Sequence, residues 1–206
     1  MTFTPKRLAL VGIIAATLTL AGCTGGGPTP SSSSPSDTPS PTSTALNNPV
    51  NAPKTQNDAI QQAQGVLATW YKTLSSVLVA GGTDTAPLKH LAIQPALQVG
   101  LDGADRIANG PLLNADGQSV PGSAKATGEI TFAPSTAYGQ TWQGVDNGLV
   151  TIDGCQDSSN YHITTHDGKP AMRPPHDRIK LEYQVSYDAK TKLWMVSKQV
   201  DLQATC

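Results

Sequence analysis

The chain has 206 residues, 38% of them hydrophobic and only 14% charged, with 14 Lys and Arg against 15 Asp and Glu for a formal net charge of −1. That length suits one domain core plus non-globular segments. The near-neutral balance, without a basic block or interleaved aromatic and basic residues, argues against nucleic acid as a partner.

The chain opens with Lys6-Arg7 and a charge-free apolar run of thirteen residues from Leu8 to Leu20, followed by Leu20-Ala21-Gly22-Cys23. A bilayer-spanning helix needs about 20 residues, so the run is short for one. It has the length of a secretory signal core, with a basic start and small residues before the cut. Residues 20–23 resemble the lipobox of bacterial lipoprotein precursors. The resemblance implies a signal peptide over residues 1–22, removal of that peptide before Cys23, and joining of the Cys23 thiol to diacylglycerol, with palmitate-type acyl chains. Two or more chains give stable anchoring where one gives marginal binding. The expected location is therefore the cell membrane, lipid-anchored, on the extracellular side. The alternatives are an ordinary signal peptide with an incidental Cys23, or a retained transmembrane anchor.

Residues 23–50 read as a linker. From Thr24 to Ala45, twenty of twenty-two residues are Gly, Pro, Ser or Thr, and Asp37 is the only charge. Such a segment has no apolar surface to offset the entropy of ordering it, so disorder is expected. Its prolines favour polyproline-like stretches, and roughly 25 residues at about 3 Å each reach some 70 Å. Ser/Thr/Pro-rich tracts behind a lipobox resemble those of actinobacterial lipoproteins.

Residues 51–206 form one domain by length. Cys155 and Cys206 remain once Cys23 is set aside, and an even pair in an exported domain reads as a disulfide rather than two free thiols. Closing a loop of about 50 residues stabilises a fold by about 4 kcal/mol in the chain-entropy model. Neither cysteine lies in a C-x-x-C motif.

Within this domain, Ile60, Ala63, Leu67, Trp70, Leu74 and Leu78 recur at steps of three and four, which predicts a helix over Thr55 to Val79. Thr55-x-x-Asp58 has the form of a capping box, and Gly81-Gly82 marks the stop. A short helix is expected from Asp84 or Thr85 through Leu91, with Pro87 in its first turn. A third helix is expected over Gln94 to Ala108, weakened by Gly100 and Gly103. After Asn109-Gly110, turn residues cluster at Asn114, Asp116-Gly117 and Pro121-Gly122, and the periodicity becomes two. Gly128, Ile130 and Phe132 predict one strand face, and Leu149 to Cys155 a second strand. Arg178 to Tyr187 alternates without a break, and Asp188 to Thr191 turns it into Leu193 to Leu202 as an antiparallel hairpin. Trp194, Val196, Val200 and Leu202 share a face that Lys198 interrupts, so Lys198 is expected to snorkel or to face a cavity.

Helices followed by antiparallel strands predict an α+β domain with N-terminal helices packed on one face of a curved antiparallel sheet. The element order, the Gly154-Cys155-Gln156-Asp157-Ser158 segment, the Asp167-Gly168 turn and the closing Trp-bearing strand resemble the cone-shaped nuclear transport factor 2-like (ketosteroid isomerase-like, SnoaL-like) domains. That superfamily includes enzymes, small-molecule binders and interaction domains, so the resemblance does not choose among them.

Chemistry is sparse. His162, His166 and His176 with a nearby carboxylate have the donor atoms for zinc, but their segment is rich in Gly, Pro, Ser and Asn and reads as an exposed loop. Acid–base catalysis in a cone would need a carboxylate or histidine opposite a hydroxyl donor. Tyr183, Tyr187 and Trp194 are candidate pocket lining, and Asp153 shares their sheet, but no carboxylate is placed opposite the tyrosines. Trp142 with Tyr138 and Gln143 has the groups to contact sugar or peptide, although partial core is the simpler role. No P-loop, G-x-G-x-x-G, G-x-S-x-G or H-E-x-x-H occurs. The sequence therefore predicts no catalytic residue, no metal and no cofactor. It predicts a membrane-tethered envelope lipoprotein that binds an envelope protein, a cell-wall component or a small apolar ligand. The alternative is a small-molecule-binding or acid–base enzyme domain that uses the cone cavity.

Overall fold

The computed structural model describes residues 47–206. The expected signal peptide, the expected acylation site Cys23 and the expected linker up to residue 46 lie outside the described residues. Val50, expected to end the linker, belongs with the domain: its N–H donates to Lys192 O at 2.8 Å and its carbonyl accepts from Tyr187 Oη at 2.8 Å. Asn47 Nδ2 likewise donates to Trp194 O at 2.7 Å.

The protein is α+β. Helix α1 (Gln56–Val79) is followed by a 3-10 turn (Ala86–His90) and helix α2 (Ala96–Asn109). Strands β1 (Leu112–Leu113), β2 (Ser119–Val120) and β3 (Lys125–Thr127) are short, and β4 (Thr131–Trp142) and β5 (Val145–Asp157) are long. They are followed by β6 (His162–Thr164), β7 (Arg178–Asp188) and β8 (Leu193–Thr205). The main sheet has the order β4-β5-β7-β8 with every neighbour antiparallel, and β1–β2 and β3–β6 form two small ladders. Among the described residues, no helix is long and apolar enough to cross a membrane.

The first helix starts where its cap predicts. Thr55 is extended, and its hydroxyl accepts from Asp58 N–H at 3.1 Å. The Asp58 carboxylate reaches back to Lys54 N–H at 3.0 Å, one residue earlier than a reciprocal capping box would. Ala63, Leu67, Trp70 and Leu78 are buried as spaced, with Ile60 and Leu74 partly buried. Helix α2 begins two residues later than expected because Pro95 occupies its N-cap. Gly100, read as a weakness, is a close approach: a Cβ there would stand 2.7 Å from the Trp70 ring.

Two strand expectations are corrected. Gly128 to Ile130 is not strand. Gly128 turns at φ +81°, where a Cβ would overlap the Asn160 carbonyl, and Ile130 N–H donates to Ser75 Oγ of α1 at 2.9 Å instead of to a neighbouring strand. Lys198 does not interrupt the inner face. The register shifts by one residue at Ser197, so Val185 pairs with Val196 but Gln184 pairs with Lys198. This bulge reverses the phase of β8, turning Lys198 out to solvent and setting Gln199 opposite Tyr183. Val200 and Leu202 accordingly leave the core, and Leu202 is exposed.

Val150 and Ile152 of β5, with Leu181, Tyr183 and Val185 of β7, face the helices and are buried. Cys155 follows the opposite phase and pairs with Lys180. Its bond to Cys206, with Cα atoms 6.0 Å apart, therefore lies on the sheet face turned away from the helices and pins the end of β8.

Candidate functional site

Between the two helices and the inner face of the sheet lies a cleft of about 310 Å³. Leu74 and Leu78 of α1 form one wall, and Val99, Gly103, Arg106 and Ile107 of α2 form another. Leu112, Ile130, Tyr161 and Ile163 close the side formed by the short strands, and Gln156, Tyr183 and Gln199 of the sheet form the floor.

The floor is built by sheet phase. Gln156 and Tyr183 occupy inward positions of β5 and β7, and the bulge at Ser197 brings Gln199 beside them. Behind Tyr183 stands Tyr71 of α1. Tyr71 Oη donates to Gln156 Oε1 at 3.0 Å and lies 2.7 Å from Tyr183 Oη. A phenol has one proton, so Tyr183 is the donor in the second bond. Phe132 completes the group, stacked on Tyr71 at 5.4 Å and edge-on to Tyr183 at 5.2 Å. Such pairings add to the burial energy of each ring.

Burial pushes both phenols well above the ordinary tyrosine value, and for Tyr71 the neighbouring Tyr183 adds to the rise. Tyr161, partly buried at the cleft edge, is pushed up to about 12 by the same cause. All three stay neutral at any physiological pH. Tyr71 and Tyr183 are hydrogen-bonded to one another, and Tyr71 to Gln156. Among the described residues, no carboxylate or histidine lines the cleft.

Of the three expected lining residues, only Tyr183 lines this cleft. Trp194 is buried in the core, where its indole N–H donates to Gln62 Oε1 at 2.7 Å. Tyr187 packs against Trp194 at 5.5 Å with its hydroxyl given to Val50 O, and it meets only the open groove on the other side of the sheet. Asp153 shares the sheet but not the face: it pairs with Glu182 and accepts from Thr136 Oγ1 at 2.9 Å.

His162 Nδ1 lies 3.0 Å from Arg173 Nη1, so that nitrogen accepts from a cation. Arg173 also holds Asp177 at 2.6 Å. Among the described residues, no group of three His, Cys, Asp or Glu side chains is placed to hold a metal ion. Trp142 and Tyr138 are exposed, and Trp142 borders the groove on the outer face of the sheet with Gln143.

Sequence reasoning missed Tyr71, Arg106, Gln156 and Gln199. The inward phase of Val150 and Ile152 extends directly to Gln156 and was the available signal for it. Tyr71 stands four residues after Leu67 and three before Leu74, so the stripe of α1 was the available signal for it.

No family model matches the chain, and no curated protein does. Among solved structures, the intermembrane space region of the chloroplast protein ARC6 is similar at 12% identity, over 71% of this chain and 96% of that one, with a TM-score of 0.42.

Proposed function

We propose that this is a cell-envelope lipoprotein, anchored through Cys23 on the outer side of the membrane, whose domain binds a small apolar molecule without transforming it. The lipobox resemblance and the spacer-like composition behind it support the tether. The helices packed on one face of an antiparallel sheet, with an opening between them, support the nuclear transport factor 2-like reading. The observation that carries the binding role is the lining of the cleft: walls apolar except for Arg106, a polar floor on which the Tyr183 proton is already committed, and, among the described residues, no carboxylate or histidine. An acid–base enzyme needs a titrating group within reach of its substrate, and Tyr183 has none beside it in the cleft.

The tether is tested by Cys23→Ser and fractionation; a variant that stays in the membrane as before refutes it. The binding role is tested with the neutral dye Nile red. Fluorescence should rise on addition of the protein and should fall back in Val99→Trp, which fills the cleft from an exposed position of α2. A rise that Val99→Trp leaves unchanged refutes the cleft as the site.

A further inference from the structure

We infer that the cleft takes a small amphiphile with one anionic head group, its apolar part between Leu78 and Ile107 and its head at Arg106. The inference rests on the reading of the cleft as a binding site and adds the class of ligand.

The first observation is a glycine that packing does not require. Gly100 and Gly103 both weaken α2, at a cost of about 1 kcal/mol each relative to alanine. Gly100 has a steric reason, because the Trp70 ring occupies the place of its Cβ. Gly103 has none: a Cβ there would meet only Leu78 Cδ2, at 3.9 Å, an ordinary contact. What the missing side chain provides is open space, since Gly103 lies on the cleft wall.

The second observation is the cation three residues on. Residues three apart are neighbours on a helix face, so Arg106 stands beside the space left by Gly103. Its side chain is exposed, and among the described residues it makes no hydrogen bond and no ion pair. A cation in the last turn suits the carbonyl end of a helix. That accounts for where Arg106 lies along α2, but not for its facing the cleft. Guanidinium groups bind carboxylates and phosphates through paired, directional hydrogen bonds.

The third observation sets the size. About 310 Å³ lies at the lower end of the range for small-molecule sites. It holds a short acyl or compact ring system rather than a two-chain lipid.

The test uses the full chain carrying Cys23→Ser, so that no bilayer competes for the probe. Decanoate, decyl phosphate and decanol share one tail and differ in the head. Calorimetry should show at least one of the anions binding about tenfold tighter than decanol, which identifies the head group. Arg106→Gln should abolish the preference while leaving decanol binding intact. Gly103→Leu should abolish binding of all three without lowering the melting temperature. Should Gly103→Leu fail to fold, Val99→Trp fills the same cleft from its other end. Equal binding of anion and alcohol, or a preference that survives Arg106→Gln, overturns the anionic head while leaving the cleft a binding site. Binding of none of the three overturns both readings.

Discussion

The side-chain amide of Asn114 donates to Asp167 Oδ2 at 3.0 Å across 53 residues of sequence. Asn114 is fully buried, and its own oxygen accepts from the N–H groups of Asp116 at 3.1 Å and Gln118 at 3.0 Å. Asp167 in turn receives the Thr165 hydroxyl and the Lys169 N–H. Two turns are thereby clamped together, and the strands beside them carry Leu112 and Ile163 of the cleft wall. Asn114→Ala removes a buried donor to a carboxylate and leaves two backbone N–H groups without their acceptor. The expected loss is about 2–3 kcal/mol in urea unfolding. A loss below about 0.5 kcal/mol would mean the clamp is ornamental.

The same clamp gives the protein an acid-sensitive component. The Thr165 hydroxyl, and after it Asn114, hold the Asp167 carboxyl below its usual range. Asp188 is lowered first by the Lys190 N–H, Asp157 first by the Ser159 side chain, and Asp58 first by the Lys54 N–H. A carboxyl whose pKa is lower in the folded state binds fewer protons there than when unfolded. Its contribution is complete above the unfolded value of about 3.9 and is lost as pH falls through the lower folded value. Apart from other titrations, the melting temperature should hold from pH 7 to about pH 5 and decline below about pH 4. Asp167→Asn should make that decline shallower than in the parent; an unchanged slope would remove Asp167 from the account.

The order of the hydrogen bonds at the cleft floor makes the two tyrosines unequal. Tyr71 is the middle member, donating to Gln156 and accepting from Tyr183. Tyr71→Phe leaves both partners unpaired next to the core and should cost about 2–3 kcal/mol. Tyr183→Phe breaks one bond and leaves Tyr71 donating to Gln156, for about 1 kcal/mol. Denaturation of the two variants under one condition checks the order, and a larger cost for Tyr183→Phe would mean that Tyr71 is not the member both bonds depend on.

These groups also show where sequence reasoning reaches and where it stops. Helix α1 was legible because a stripe of period 3.6 and a threonine cap are local signals. Strand β7 was legible because Ile179 to Tyr187 alternates over a face with no irregularity. The cleft floor was not, because its members are set by register. The bulge at Ser197, which brings Gln199 inward and sends Lys198 out, has no glycine or proline to announce it. Tyr71 keeps the spacing of the α1 stripe, but its neighbours Phe132 of β4 and Tyr183 of β7 come from distant sequence that no local pattern joins to it. The Cys155–Cys206 bond was legible from count, since setting Cys23 aside leaves one even pair outside any C-x-x-C motif.

The two glycines of α2 separate a packing constraint from an open space by the sign of one measurement. Both are helical, and both carry the entropic cost of glycine in a helix interior. At Gly100 a methyl group would stand 2.7 Å from Trp70, a buried ring with no room to retreat. Gly100→Ala should therefore destabilise, by about 1–3 kcal/mol from overpacking less the gain in propensity. At Gly103 the methyl would meet only Leu78, at 3.9 Å. Gly103→Ala should stabilise by about 0.5–1 kcal/mol. Thermal unfolding of the pair should shift in opposite directions. A loss at Gly103 would mean that the space beside Leu78 is already filled in solution, and the cleft would then have to be sought elsewhere on the domain.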